Sequence, residues 1–227
     1  MRCVIGHYEA ILFDIDGTLV DSTAAVERTW RTWAAEHGLD AAHILSICHG
    51  VRSSDVVARY LPASEIPAAT VELENMELQD REGVTALPGA ADLLGRLPET
   101  RWAAVTSGSG RLMRKRLSAA GLPVPDHLIA ADDVVEGKPD PEGYRKAADA
   151  LGAPIDRCLV IEDAPAGIAA GRAAGATVLA VCTSHQRAEV DDADVVLDSL
   201  TDVSVSVGND GIQVEEAPAH RTPAREG

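Results

Sequence analysis

The chain has 227 residues, 46% of them hydrophobic and 25% charged, and its 20 Lys and Arg face 36 Asp and Glu for a net charge of −16. That balance excludes a wholly disordered chain, and no run of about 18 apolar residues is present to span a bilayer. The acidity excludes nucleic acid and anionic membrane as partners, since both need clustered Lys and Arg.

The first residues, MRCVIGHYE, carry one Arg, but His7 and Glu9 interrupt them before a secretory leader's apolar stretch. A cytoplasmic location is therefore expected. Tyr8 to Phe13 (YEAILF) reads as a buried strand with Asp14 at its carboxyl end. From Asp21 to about Ala86 no strand is evident. Thr23–Glu36, Ser53–Tyr60 and Pro67–Glu82 read as helices, with Trp30, Trp33, Leu73 and Met76 at core spacings, so a helical insert is expected over 21–86. It holds eleven acids against five Arg and no Lys.

Further strands follow at Arg101–Val105, Leu128–Ala130, Cys158–Ile161, Thr177–Val181 and Val195–Leu197, alternating with helical patterns over 90–97, 110–121 and 142–151. Asp140 and Pro141 read as the N-cap and first residue of the last of these. Strand alternating with helix predicts a parallel sheet covered on both faces. Val203–Val207 and Ile212–Val214, around Gly208-Asn209-Asp210-Gly211, read as a hairpin. The division expected is a core of 1–20 and 87–215, the insert 21–86, and a loose polar tail over 216–227. The four cysteines (Cys3, Cys48, Cys158, Cys182) lie far apart and read as buried thiols in a reducing compartment.

In open parallel sheets ligands sit beyond the carboxyl ends of the strands. Those ends carry Asp14, Asp16, Gly17 and Thr18, then Thr106, Ser107 and Gly108, then Glu162 and Asp163, with Lys138 in the loop after a weak strand. Carboxylates gathered this closely repel and need protons or a hard divalent cation. Mg²⁺ takes oxygen ligands, keeps several waters and leaves room for a phosphate. Lys138 and backbone N–H groups after Asp14 are placed to hold that phosphate. A carboxylate beside it can attack phosphorus, and a second acid two residues away can move protons. Gly17 suits a tight turn that brings backbone amides to the substrate.

Phe13-Asp14-Ile15-Asp16-Gly17-Thr18-Leu19-Val20-Asp21-Ser22 resembles the first motif of the haloacid dehalogenase superfamily of phosphatases. Val105-Thr106-Ser107-Gly108 resembles its second motif, Gly137-Lys138-Pro139-Asp140-Pro141 its third, and Ile161-Glu162-Asp163-Ala164-Pro165-Ala166-Gly167-Ile168 its fourth, in order over about 8–200. The resemblance implies a Rossmann-like α/β core with parallel sheet and an all-helical cap at 21–86. It implies Asp14 as nucleophile and Mg²⁺ ligand, and Asp16 as acid/base and ligand through its carbonyl. Thr106, Ser107, Gly108, Gly17 and Lys138 are implied at the phosphate. Asp163 is implied on the metal, with Glu162 either ligating or supporting from behind.

His49-Gly50-Val51-Arg52 is similar to a cap segment of the glycerol-3-phosphatases and 2-deoxyglucose-6-phosphatases, which implies a small sugar or polyol phosphate as substrate. His49, Gly50, Arg52 and Asp21 are the cap positions expected near it. Arg52 is read as reaching substrate or as a salt bridge at a helix start, and Ser22 as the N-cap of the first insert helix. Asp16 argues against halide release. Sugar phosphomutases carry a cap His where this chain has Val26, and phosphonate-cleaving relatives need a cap Lys. A non-catalytic regulatory protein would be expected to lack Asp14 or Asp16. Gly167, Gly171 and Gly175 read as close helix-to-sheet packing. His7, His37, His127, His185 and His220 show no metal spacing, and a monomer is expected.

Overall fold

The chain changes sheets at Glu9. Strand β1 (Val4–Tyr8) and strand β2 (Ala10–Phe13) divide the run that reads from sequence as one strand. Tyr8 lies opposite Ile212 in an antiparallel pairing, whereas Ala10 lies opposite Cys158 in a parallel one. Between them the Glu9 carboxylate meets Arg157 at 2.9 Å. The computed structural model describes residues 4–80 and 82–218; Cys3, Arg81, His220 and the expected tail from 219 onward lie outside the described residues.

The insert leaves the core through strand β3 (Val20–Asp21) and contains helices α1 (Thr23–Glu36), α2 (Ala41–Leu45), α3 (Ser53–Val57) and α4 (Ile66–Gln79). It returns through strand β4 (Thr85–Ala86), antiparallel to β3, with Val20 opposite Ala86 and Asp21 opposite Thr85. This ribbon corrects the expectation of no strand at the insert's margins: two residues per strand are too few to show alternation. Helix α2 was also not foreseen; Asp40 caps it by accepting the Ala42 N–H at 2.9 Å. The insert has its own apolar cluster, in which Trp30, Trp33 and Ala34 of α1 meet Ala69 and Leu73 of α4. Trp30 and Trp33 pack edge to face, 5.5 Å between ring centres.

The core continues through α5 (Ala90–Leu94), β5 (Trp102–Val105), α6 (Gly110–Ala119), β6 (Leu128–Ile129), α7 (Glu142–Leu151), β7 (Cys158–Glu162), α8 (Pro165–Ala174), β8 (Thr177–Val181) and β9 (Val195–Leu197). Six strands form one parallel sheet in the order β6-β5-β2-β7-β8-β9. Side chains alternate across it, as strand geometry dictates. Ile11 and Phe13 of β2 join the cluster of α5 and α6, while Ala10 and Leu12 join that of α7 and α8. The hairpin β10 (Val203–Gly208) and β11 (Gly211–Glu216) pairs with β1 in a second sheet, adding Val205, Ile212 and Val214 to the first cluster.

Local readings need adjustment at two points, Asp140 and Gly175. Asp140 stands one residue outside the cap position and accepts the Glu142 N–H through its side chain at 2.9 Å. Gly167 and Gly171 lie in α8, where a Cβ would collide with Glu162 and with Val178 and Val160 respectively. Gly175 instead ends that helix in the left-handed region, φ 101°. β2 lies where strand order departs in both directions, so the crevice beyond its carboxyl end is the fold's natural ligand site.

Candidate active site

Asp14 is the first residue past β2, and its backbone N–H still donates to Ile161 O of the neighbouring strand at 3.0 Å. Its carboxylate is buried, and Lys138 Nζ donates to Oδ1 at 2.5 Å. The same ammonium donates to Glu162 Oε1 at 2.6 Å and to Val105 O at 3.1 Å, so all three of its protons are placed. Tyr144 of α7 donates its hydroxyl to Glu162 Oε1 at 2.7 Å. Glu162 Oε2 accepts the N–H groups of Asp163 and Ala164 at 3.0 and 3.3 Å. Glu162 is thus engaged on both oxygens, in the position of a support for Lys138.

Asp163 is bound differently. Thr18 Oγ1 donates to Oδ1 at 2.9 Å and Ser184 Oγ to Oδ2, both neutral donors. Burial, reinforced by the Glu162 charge, pushes its pKa up to about 7. Burial also drives Asp14 well above the usual carboxylate range, against the pull of Lys138. For Lys138 burial alone would lower the pKa, but Asp14 and Glu162 outweigh it and the net shift is upward. Asp14, Glu162 and Asp163 offer carboxylate oxygens within 4.8 Å of one another, with one ammonium among them. This hard, oxygen-only set is short of positive charge and fits a divalent cation such as Mg²⁺.

Asp16 begins a tight turn. Ile15 O accepts from Leu19 and Val20 N–H at 2.8 Å, and Gly17 N–H donates to Val20 O at 2.8 Å. Gly17 therefore spends its own amide on the turn, a correction to its expected place at the phosphate; the N–H groups of Ile15 and Asp16 are left out of that turn. Gly17 has φ 90°, and a Cβ there would strike the Asp163 carboxylate. Asp16 Oδ1 accepts from Ser22 Oγ at 2.8 Å. Ser22 occupies the N-cap position of α1 without a capping bond, so its hydroxyl serves Asp16 instead. Asp16 Oδ2 takes Arg116 Nη1 of α6 at 2.5 Å, and Arg116 Nη2 reaches Glu77 Oε1 of α4 at 2.9 Å.

Thr106 follows β5 at the cleft floor, and its Oγ1 accepts the Gly108 N–H at 3.1 Å. The Gly108 amide is consequently occupied. Ser107 Oγ donates to Gly50 O of the insert at 2.9 Å, and a Cβ at Gly50 would press on the Ala164 methyl. Ser109 caps α6 by accepting the Leu112 N–H at 3.2 Å and donates to Glu74 of α4. The cleft has Asp14, Asp16, Thr106 and Asp163 on the core side and Trp30, His49, Ser53 and Glu77 on the insert side. His49 is half-buried, 6.4 Å from the His185 ring, and burial with that neighbour lowers its pKa.

Two of the cap candidates make structural contacts in place of lining the cleft. Arg52 is absent from the cleft lining: Nε donates to Asp55 at 2.8 Å, Nη1 to Val135 O at 2.9 Å, and Nη2 lies 3.8 Å from Glu136. It takes the salt-bridge alternative and ties the insert to the loop before Lys138. Asp21 is exposed and accepts the Thr23 N–H at 3.1 Å, which turns the chain into α1. Sequence reasoning missed Glu77, Arg116, Tyr144 and Ser184, and it read Ser22 as a helix cap, not as a partner of Asp16. Arg116 shares a face with the apolar Leu112 and Met113, and Glu77 stands four residues after Leu73. That register was the available signal. Ser184 lies just beyond β8, at another strand end.

Residues 8–175 match the family described as haloacid dehalogenase-like hydrolase. The chain belongs to this family of hydrolases. Among haloacid dehalogenase-like relatives, hexitol phosphatase A of Escherichia coli K12 is 41% identical over 211 residues, 91% of this chain and 95% of that one. Glycerol-1-phosphate phosphohydrolase 2 of Saccharomyces cerevisiae is 37% identical over 188 residues, 77% and 75% of the two chains. A solved hydrolase from Pseudomonas syringae superposes with a TM-score of 0.78 at 26% identity, covering 85% of this chain and 94% of that one. The six-stranded parallel sheet flanked by helices is the haloacid dehalogenase-like fold.

Proposed function

We propose that the protein hydrolyses small sugar or polyol monophosphates, using Mg²⁺ and an aspartyl-phosphate on Asp14. One observation carries this reading above others: a buried Asp14 at the cleft floor, held on one oxygen by Lys138, with Asp16 two residues on facing the same cleft. The hexitol and glycerol phosphate relatives support the substrate class.

In the first step an Asp14 oxygen attacks phosphorus in line and the bond to the alcohol oxygen breaks. Asp16 delivers the proton that the alcohol takes away. In the second step water attacks the same phosphorus, gives its proton to Asp16, and the Asp14–phosphorus bond breaks to release phosphate. Lys138, the Thr106 hydroxyl and backbone N–H groups of the Ile15–Asp16 and Ser107 segments hold the phosphoryl oxygens. Glu162 and Tyr144 keep Lys138 in place. Asp14, the Asp16 carbonyl and Asp163 are the residues that would hold Mg²⁺, which when bound offsets phosphoryl charge. Residues 21–86 act as the cap that excludes water, and His49 with Gly50 lies at its contact with the core.

Val26 lines the cleft where mutases carry His, which favours water as acceptor over a sugar hydroxyl. Cys48, Cys158 and Cys182 are free thiols, consistent with the cytoplasm. Among the described residues no helix is long and apolar enough to cross a membrane.

The test is phosphate release from a panel of sugar and polyol monophosphates, with Mg²⁺ and with EDTA. Metal-dependent release with a preference for one ester is expected, and Asp14→Asn is expected to abolish it while the variant stays folded by circular dichroism. Full activity in Asp14→Asn, or in metal-free enzyme, would remove the mechanism. An isomerised sugar phosphate in place of free phosphate would turn the reading to a mutase.

A further inference from the structure

Resting on the phosphatase reading, we infer that Arg116 is the positioning residue for Asp16, and that Glu77 on the insert holds Arg116 in place, so the leaving-group acid is set only when the insert is seated.

The three groups come from three parts of the fold. Asp16 is on the turn after β2, Arg116 on core helix α6, and Glu77 on insert helix α4. The Arg116 side chain is 6% exposed and that of Glu77 8%. A guanidinium presents its N–H groups in a rigid plane, so two divergent bonds fix its orientation and that of each carboxylate it meets. Here Nη1 takes Asp16 Oδ2 and Nη2 takes Glu77 Oε1. Ser22 Oγ binds the other Asp16 oxygen. A carboxylate held on both oxygens by separate elements has one orientation, which proton transfer to a leaving alcohol needs.

The neighbouring contacts tie this pairing to the seating of the insert. On the same α4–α6 seam Ser109 donates to Glu74, and Lys115 Nζ to Leu78 O at 3.3 Å. Lifting α4 away removes Glu77 and leaves the buried Arg116 with one partner instead of two.

The test compares two esters by kcat/KM, which covers only the steps up to departure of the alcohol. An alkyl phosphate needs its leaving group protonated; p-nitrophenyl phosphate, with a weakly basic leaving group, does not. Arg116→Met is expected to lower kcat/KM for glycerol phosphate or hexitol phosphate on the order of 10²-fold, and for p-nitrophenyl phosphate less than about 10-fold. Glu77→Leu, which leaves the Arg116–Asp16 pair balanced in charge, is expected to shift the ratio in the same direction by less. It also carries the test if Arg116→Met fails to fold. Equal losses on both esters, or a rise in KM alone, would overturn the inference and leave Arg116 a structural ion pair. Wild-type enzyme that releases phosphate from neither ester would remove the phosphatase reading itself, and the inference with it.

Discussion

Asp163 and Lys138 show how the same burial acts on opposite charges. Lys138 keeps its proton because two carboxylates touch it, whereas Asp163 meets only hydroxyl donors and rises to about 7. The proton that metal-free folded protein holds on Asp163 is given up by the unfolded chain near 3.8. It contributes stability that is fully present below about pH 3.8 and lost as pH rises through about 7. Asp14 shifts in the same direction. A bound cation replaces that proton, so its stabilisation grows over the same window. The expected outcome in calorimetry is a small rise in Tm on adding Mg²⁺ at pH 5 and a larger one at pH 8. A shift that is the same at both values would detach Asp163 from the metal.

At the scale of elements, the insert rests on Trp33, fully buried between α1 and its partners and stacked on His37 at 4.2 Å. Trp33→Ala is expected to cost about 3–5 kcal/mol, taken mainly from the insert because its apolar cluster is separate from those of the sheet. Hydrogen exchange is the measurement: amides of α1 and α4 should lose protection while those of β2, β5 and β7 keep theirs. Equal loss in both would mean one cooperative unit. Helix α1 was legible residue for residue because its Trp and Ala positions repeat at helical spacing over four turns. The ribbon β3–β4 and helix α2 were not, since two or five residues carry no period. The strand ends delivered Asp14, Thr106 and Asp163 because apolar runs stop at them. Arg116 and Glu77 stayed hidden because a charge on a helix reads as solvated until its register with Leu112 or Leu73 is followed. Arg52 could not be placed from sequence, as its partner Val135 O is 83 residues away.

For the whole molecule the governing quantity is the net charge of −16. A phosphate ester approaches as an anion, so the protein's mean field opposes capture while the cations of the cleft favour it. The Debye length falls from about 30 Å at 0.01 M salt to about 8 Å at 0.15 M. Screening therefore removes the long-range repulsion first and leaves the short-range attraction nearly intact. At fixed Mg²⁺, kcat/KM for the preferred ester is expected to rise between those two ionic strengths, as read in initial rates. A fall instead would mean that attraction by the cleft already dominates at long range.

The ribbon at the root of the insert has a consequence for how such a protein can be altered. Asp21 and Thr85 are opposite one another, so some sixty intervening residues begin and end at a single point on the core. None of the six strands around β2 comes from that stretch, which meets the site through Ser22, Gly50 and Glu77. A graft at that two-residue junction would leave Asp14, Lys138 and Asp163 on the unaltered core, and would have to bring its own partners for Asp16, Arg116 and Ser107.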